Sequence, residues 1–228
     1  MNKAEYYLKG FYLGNFKNNE DLEKLLFSIN QIHKGQLKDG FNLVEKYKNS
    51  KDLKPEVHTY DSSFIDILFS NDIPNLLKDI VGRDLFLAHV QLRISYKGGF
   101  KSYMIWHRDT NVYGGKVVGN IPPAHKIIFY PTVDGAIDDK IKVVPGSHRR
   151  VFGNKIFDFL QIFFRKKITV KSSDSQFLLF NTELFHHVVP EIQEKGSFRL
   201  IYSFVEKECL TEYKGGEKLI EMYKNRLS

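Results

Sequence analysis

Apolar positions change their spacing once along this chain. Over residues 18–82 they recur at three- and four-residue steps, the period of helices that bury one face. Asn19 predicts an N-cap before Glu20 and Asp21, and Leu22, Leu25, Leu26, Ile29 and Ile32 mark the buried stripe of that helix. A second helix is predicted after Asp61-Ser62-Ser63, with Phe64, Ile65, Ile67 and Leu68 on its apolar face. A third begins around Ile73-Pro74, where proline suits a first turn, and stops at Gly82.

After Arg83-Asp84 the period shortens. The stretch 85–96 alternates from Val90 onward and reads as one long strand, closed by the Lys97-Gly98-Gly99 turn. Further strands are predicted at 103–107, 126–131, 141–144, 175–180, 185–189 and 198–205. Residues 156–164 fit either an amphipathic helix or a strand, and their length and spacing favour the helix. Short strands after a helical first third predict a sandwich or jelly roll rather than alternating βαβ units. The expected organisation is a single domain over 1–228, with a helical support region at 1–84, a β core at 85–206 and a C-terminal extension at 207–228.

Composition narrows the class. With 42% hydrophobic and 27% charged residues the chain is ordinary globular protein, neither disordered nor fibrous. The 19 Phe and 12 Tyr suit a β-rich core and the lining of a pocket. A net charge of +7 favours anionic partners, but the lysines are dispersed and no nucleic-acid-binding signature is present, so no nucleic acid is expected as a partner. A single cysteine, Cys209, excludes an internal disulfide framework and suits a reducing compartment. No membrane span approaches the required ~20 residues, and the start lacks the apolar stretch of a signal peptide. The expected location is cytoplasmic, and the sequence leaves the oligomeric state unknown.

One stretch carries candidate chemistry. His107-x-Asp109 puts an imidazole and a carboxylate on one face if the segment is extended. A third group could come from His186 or His187, at the end of a predicted strand. Two histidines and one carboxylate form the facial arrangement of non-heme Fe(II) oxygenases, which leaves coordination positions open. Arg199 stands in a mostly apolar strand, where a guanidinium needs an opposite charge unless it reaches solvent at the strand end; an internal Asp or Glu, or a carboxylate of a small dicarboxylate ligand, would supply it.

The order His107-Arg108-Asp109, Lys126-Ile127-Ile128-Phe129-Tyr130, Val143-Val144-Pro145-Gly146-Ser147-His148, His186 and Arg199 resembles the phytanoyl-CoA dioxygenase-like branch of the Fe(II)/2-oxoglutarate-dependent oxygenases, over about residues 85–205. The resemblance implies a mainly β, α+β fold: a double-stranded β-helix (jelly roll, cupin-like) with N-terminal support helices. It implies iron bound by His107, Asp109 and a distal histidine, with 2-oxoglutarate and O2 as cosubstrates and Arg199 holding 2-oxoglutarate. The family's setting four residues before a proline selects His186, through Pro190. Tyr96, Gln91 and Lys126 are further candidates near the cosubstrate, and His148 is expected to be structural. The implied reaction is hydroxylation of a C–H bond of a small-molecule or carrier-linked substrate, with release of succinate and CO2. Asp109 argues for that outcome over halogenation, in which a small residue replaces the carboxylate. The alternatives are an oxygenase acting on a protein, peptide or nucleic acid side group, and a non-catalytic jelly-roll binding protein.

Overall fold

The computed structural model describes residues 3–98, 105–109, 112–113, 116–117, 124–131, 141–149, 159–170, 173, 175–189, 196–212 and 217–227. Helix α1 (Lys3–Lys9) leads into strand β1 (Phe11–Asn15), then α2 (Asn19–His33). A hairpin of β2 (Asn42–Tyr47) and β3 (Ser50–Lys54) precedes α3 (Val57–Tyr60), α4 (Ser63–Ser70) and α5 (Ile73–Val81). The long strand β4 (Phe86–Ser95) comes next, then β5 (Val112–Tyr113), β6 (Lys116–Val117), β7 (His125–Phe129) and β8 (Ile141–Val143). A short helix, Gln161–Phe164, is followed by β9 (Ile168–Val170), β10 (Gln176–Asn181), β11 (His186–Val188) and β12 (Ser197–Val205), and the helix Glu217–Leu227 comes last.

Seven antiparallel strands form the large sheet, in the order β1-β10-β7-β12-β4-β3-β2, and β11-β8-β9 form a small one. Strand alternation gives the large sheet two different faces. Outward, Leu92 and Ile94 of β4 join Phe198, Leu200, Tyr202 and Phe204 of β12 in a core shared with Leu25, Ile29, Phe64 and Leu68 of the helices. Inward, Ile128, Leu178, Phe180 and Ile201 pack against Ile141, Val143 and Val170 of the small sheet. The result is the two-layered jelly roll expected from the sequence, with helices backing its larger sheet.

The helices obey their stripes. Asn18, one residue before the expected cap, holds extended dihedrals and its side chain accepts from the Asp21 N–H at 3.2 Å. Gly82 ends α5 at φ 82°, a left-handed C-cap whose N–H returns to the Lys78 carbonyl.

The first third is not wholly helical. Strands β1, β2 and β3 extend both edges of the large sheet. β2 is an edge strand with almost every side chain exposed, so it shows no apolar alternation to read. In the turn between β2 and β3, Asn49 adopts φ 61°, a conformation that asparagine tolerates better than most residues. Of the segment expected as a strand at 103–107, residues 103 and 104 lie outside the described residues, and His107 pairs through an isolated bridge. Of the expected helix at 156–164, the first three residues likewise lie outside, and its end forms Gln161–Phe164. Among the described residues, no helix is long and apolar enough to cross a membrane.

Candidate metal centre

His107 and His186 meet as backbone partners. The His107 N–H donates to the His186 carbonyl at 3.0 Å, and the His186 N–H donates back at 2.9 Å. This doubly bonded antiparallel pair fixes the two Cα atoms close together. Two residues on, the Asp109 N–H donates to the Thr182 carbonyl at 3.0 Å. Thr182 in turn donates its N–H and its hydroxyl to the Ala124 carbonyl, at the entrance to β7.

Both imidazoles are oriented alike. Nδ1 of His107 donates to the Ile105 carbonyl at 2.8 Å, and Nδ1 of His186 donates to the Leu184 carbonyl at 2.9 Å. A carbonyl can only accept, so Nδ1 carries the proton and the Nε2 lone pair is left for another partner. The two Nε2 atoms stand 3.5 and 3.7 Å from Oδ1 of Asp109, and the three donor atoms lie within 4.8 Å of one another. Oδ2 of Asp109 accepts from Nζ of Lys126 at 2.7 Å.

Electrostatics follow the geometry. Burial alone would raise the Asp109 carboxyl, but Lys126 and the two imidazoles outweigh it and hold it well below the usual carboxylate range. Burial pushes His186 down to about 4 against the pull of Asp109. Burial also disfavours the charged form of His107, but Asp109 and the Ile105 carbonyl prevail and raise it. Two imidazole nitrogens and one carboxylate oxygen, converging with preset tautomers, fit a first-row divalent metal with further positions open.

The Pro145-Gly146-Ser147-His148 turn ties the two halves of this centre together. The Ser147 hydroxyl, fully buried, accepts from the Phe185 N–H at 2.9 Å, and its carbonyl accepts from the Arg108 guanidinium. Phe185 precedes His186, and Arg108 lies between His107 and Asp109. Gly146 holds φ 75° at the turn, and His148 Nε2 binds the Tyr7 carbonyl of α1 at 2.9 Å. His187 faces away from the three donors, its ring 4.6 Å from that of Trp106.

The other sequence candidates are distributed by register. Lys126, Ser203 and His89 form one row across β7, β12 and β4. Ile128, Ile201 and Gln91 form the next. Arg199, Arg93 and Asp52 form the third, across β12, β4 and β3. Arg199 is buried and donates to the Ser95 hydroxyl at 3.1 Å. The Tyr130 hydroxyl is buried without a hydrogen-bond partner among the described residues; burial pushes it up to about 12 although Arg199 opposes the shift. Gln91 donates to Asp52 at 2.7 Å, beside the two-pronged Arg93–Asp52 pair. Tyr96 packs instead against the helix-side core.

Sequence reasoning missed Asp52 and Arg93. The alternation of Gln91, Arg93 and Ser95 along β4 is a readable signal for Arg93. Asp52 has none, because the hairpin that carries it shows no apolar pattern.

The backbone matches solved structures over most of its length. HygX from Streptomyces hygroscopicus, crystallised with nickel, 2-oxoglutarate and hygromycin B, matches with a TM-score of 0.64 and 14% identity over 91% of this chain and 88% of that chain. SnoK, a non-heme alpha ketoglutarate dependent carbocyclase from nogalamycin biosynthesis, gives 0.67 and 8% identity over 90% and 83%. EctD from S. alaskensis, crystallised with 2-oxoglutarate and 5-hydroxyectoine, gives 0.64 and 15% over 90% and 75%. At such identities the likeness is one of fold, and the fold is the jelly roll of these proteins. No family model matches the sequence, and no curated protein matches it.

Proposed function

We propose that this protein is an Fe(II)/2-oxoglutarate-dependent dioxygenase of the phytanoyl-CoA dioxygenase-like branch, hydroxylating a C–H bond of a small-molecule or carrier-linked substrate in the cytoplasm. The observation that carries the reading is the convergence of His107 Nε2, His186 Nε2 and Asp109 Oδ1, with both Nδ1 protons already engaged. Iron bound there, with 2-oxoglutarate and O2, supplies the oxidising power for the C–H bond, releasing succinate and CO2.

The chain's own residues have separate tasks. His107, His186 and Asp109 hold the metal, and the carbonyls of Ile105 and Leu184 keep the rings aimed. Lys126 fixes one carboxylate oxygen so that the other faces the histidines. It also stands close enough to the centre for the cosubstrate role expected from the sequence. Arg199, a buried guanidinium on the inner face of β12, receives the distal carboxylate of 2-oxoglutarate. The orphan Tyr130 hydroxyl beside it supports this, since a buried hydroxyl without a partner costs about 1–3 kcal/mol unless a ligand fills the gap. Gln91, on the inner face, shapes the wall at greater distance, whereas Tyr96 lies on the helix side of the sheet and takes no part in it. Small molecules accompany HygX and EctD in their crystals, which supports a small-molecule substrate.

The test is an anaerobic titration of the apo protein with Fe(II) and then 2-oxoglutarate, watching for a visible metal-to-ligand charge-transfer band. The band is expected in the wild type and in His187→Ala and is lost in His186→Ala. A folded wild type that develops no band overturns the reading and favours a non-catalytic binding protein.

A further inference from the structure

The inner face of the large sheet carries a second polar group, away from the metal ligands. His89 shares a row with Lys126 but lies two strands over, and strands are spaced by about 4.8 Å, so the two stand roughly 10 Å apart. The β3 ladder covers β4 only from Ser95 to Arg93, leaving the His89 end of the strand uncovered on that side. Lys54 follows Asp52 by two residues on β3 and therefore shares its face. His89 and Lys54 are both exposed.

His89 nevertheless responds to its surroundings as an enclosed group. Burial lowers its pKa to about 4, and Lys126 and Lys54 add to the effect. Its row neighbours Ser203 and Lys126 share the inner face of the sheet, so the exposed ring lies on the same face as the metal centre. At neutral pH it is an uncharged imidazole with one N–H to donate.

The charge at this corner is unbalanced. Asp52 is engaged by Arg93 and Gln91, and Lys54 acts on the same carboxylate as a second cation. Lys54 forms no ion pair of its own among the described residues. An anion arriving beside it meets an ammonium and an imidazole N–H on one surface, the donor types that bind carboxylate and phosphate oxygens.

We propose that the substrate carries an oxyanion, a carboxylate or a phosphate, which seats on the Lys54 ammonium and the His89 N–H. The inference rests on the oxygenase reading and narrows its substrate to anionic small molecules. Their anionic end is held at the β3–β4 corner, while the remainder extends along the sheet toward Asp109.

The experiment uses the full chain loaded with Zn(II) and 2-oxoglutarate, with 13C-labelled histidine rings, and methyl phosphate and acetate as probes. Calorimetry first records 2-oxoglutarate binding to the Zn(II)-loaded wild type. Its absence overturns the oxygenase reading itself, before any probe is added. With that binding in place, at least one probe is expected to move the His89 ring cross-peak, identified by its loss in His89→Gln, along a saturable curve. The apparent Kd is expected to rise about tenfold or more in Lys54→Gln and to return to within about threefold of wild type in Lys54→Arg. Saturation by methyl phosphate alone supports a phosphate, by acetate alone a carboxylate, and by both the shared oxyanion chemistry. A His89 signal that neither probe moves, or that moves with the same Kd in Lys54→Gln, overturns the proposal. So does displacement of the probe by excess 2-oxoglutarate, which would put the anion on the cosubstrate's own position.

Discussion

Lys126 and Asp109 share one hydrogen bond of 2.7 Å, and it divides the Asp109 carboxylate into two unlike oxygens. Oδ2 belongs to the ammonium, while Oδ1 faces the Nε2 atoms of His107 and His186. The lysine therefore serves as counter-charge and as rotational stop.

Replacing Lys126 by Met leaves a half-buried carboxylate without its cation. The metal-free variant is expected to lose about 1–3 kcal/mol of stability. A divalent metal replaces the lost counter-charge, so the Tm gap to wild type should narrow when Ni(II) is added to both proteins. Thermal melts with and without the metal check this, and an unchanged gap would falsify the counter-charge role.

Arg199→Ala should act on the cosubstrate more than on the metal. The expected result is a rise of about tenfold or more in the 2-oxoglutarate concentration needed for half-saturation, against a change of less than about threefold for iron. Separate titrations of each decide it, and equal effects on both would count against the clamp.

Ser147→Ala removes the acceptor of the buried Phe185 N–H. That costs about 1–3 kcal/mol by itself. Because Phe185 leads directly into His186, metal affinity should fall as well, by several-fold, although Ser147 is not expected to touch the metal. Calorimetric titration alongside a melt separates the two effects, and a lowered Tm with unchanged metal affinity would confine Ser147 to stability.

His125 predicts acid sensitivity. Its ring is buried, shares a 2.7 Å hydrogen bond with the Tyr6 hydroxyl, and has a pKa of about 3, lowered by burial first and then by Arg83 and His148. The unfolded chain takes up a proton near pH 6.5, whereas the folded one takes it up only near 3. Stability due to this group is therefore complete above about pH 6.5 and declines as pH falls toward 3, by about 1.4 kcal/mol per unit within that window. Urea midpoints between pH 7.5 and 4.5 should fall more steeply for wild type than for His125→Phe. Parallel curves would exclude His125 as the source.

Strong periodicity made the fold legible where one face of an element is buried. The stripe of α2 and the alternation of β4 and β12 predict elements close to those found, because in each case burial repeats with the backbone period. β2 escaped since an exposed edge strand carries no such repeat, and Asp52 escaped with it. The approach of His107, Asp109 and His186 was anticipated from residue type and family order, but the bridge that binds His107 to His186 is a long-range backbone pairing that no local pattern encodes. The Lys126–Asp109 contact depends likewise on which strands become neighbours.

The alternation of β4 and β12 also separates two kinds of constraint. Leu92, Ile94, Leu200 and Tyr202 hold the sheet to its helices, while Gln91, Arg93, Arg199 and Ser203 look the other way. Substitutions at inward positions leave the helix-side packing untouched. Helix-side and inward positions of these two strands can accordingly change independently, the helix-side core staying constant while polar residues of the inner face vary.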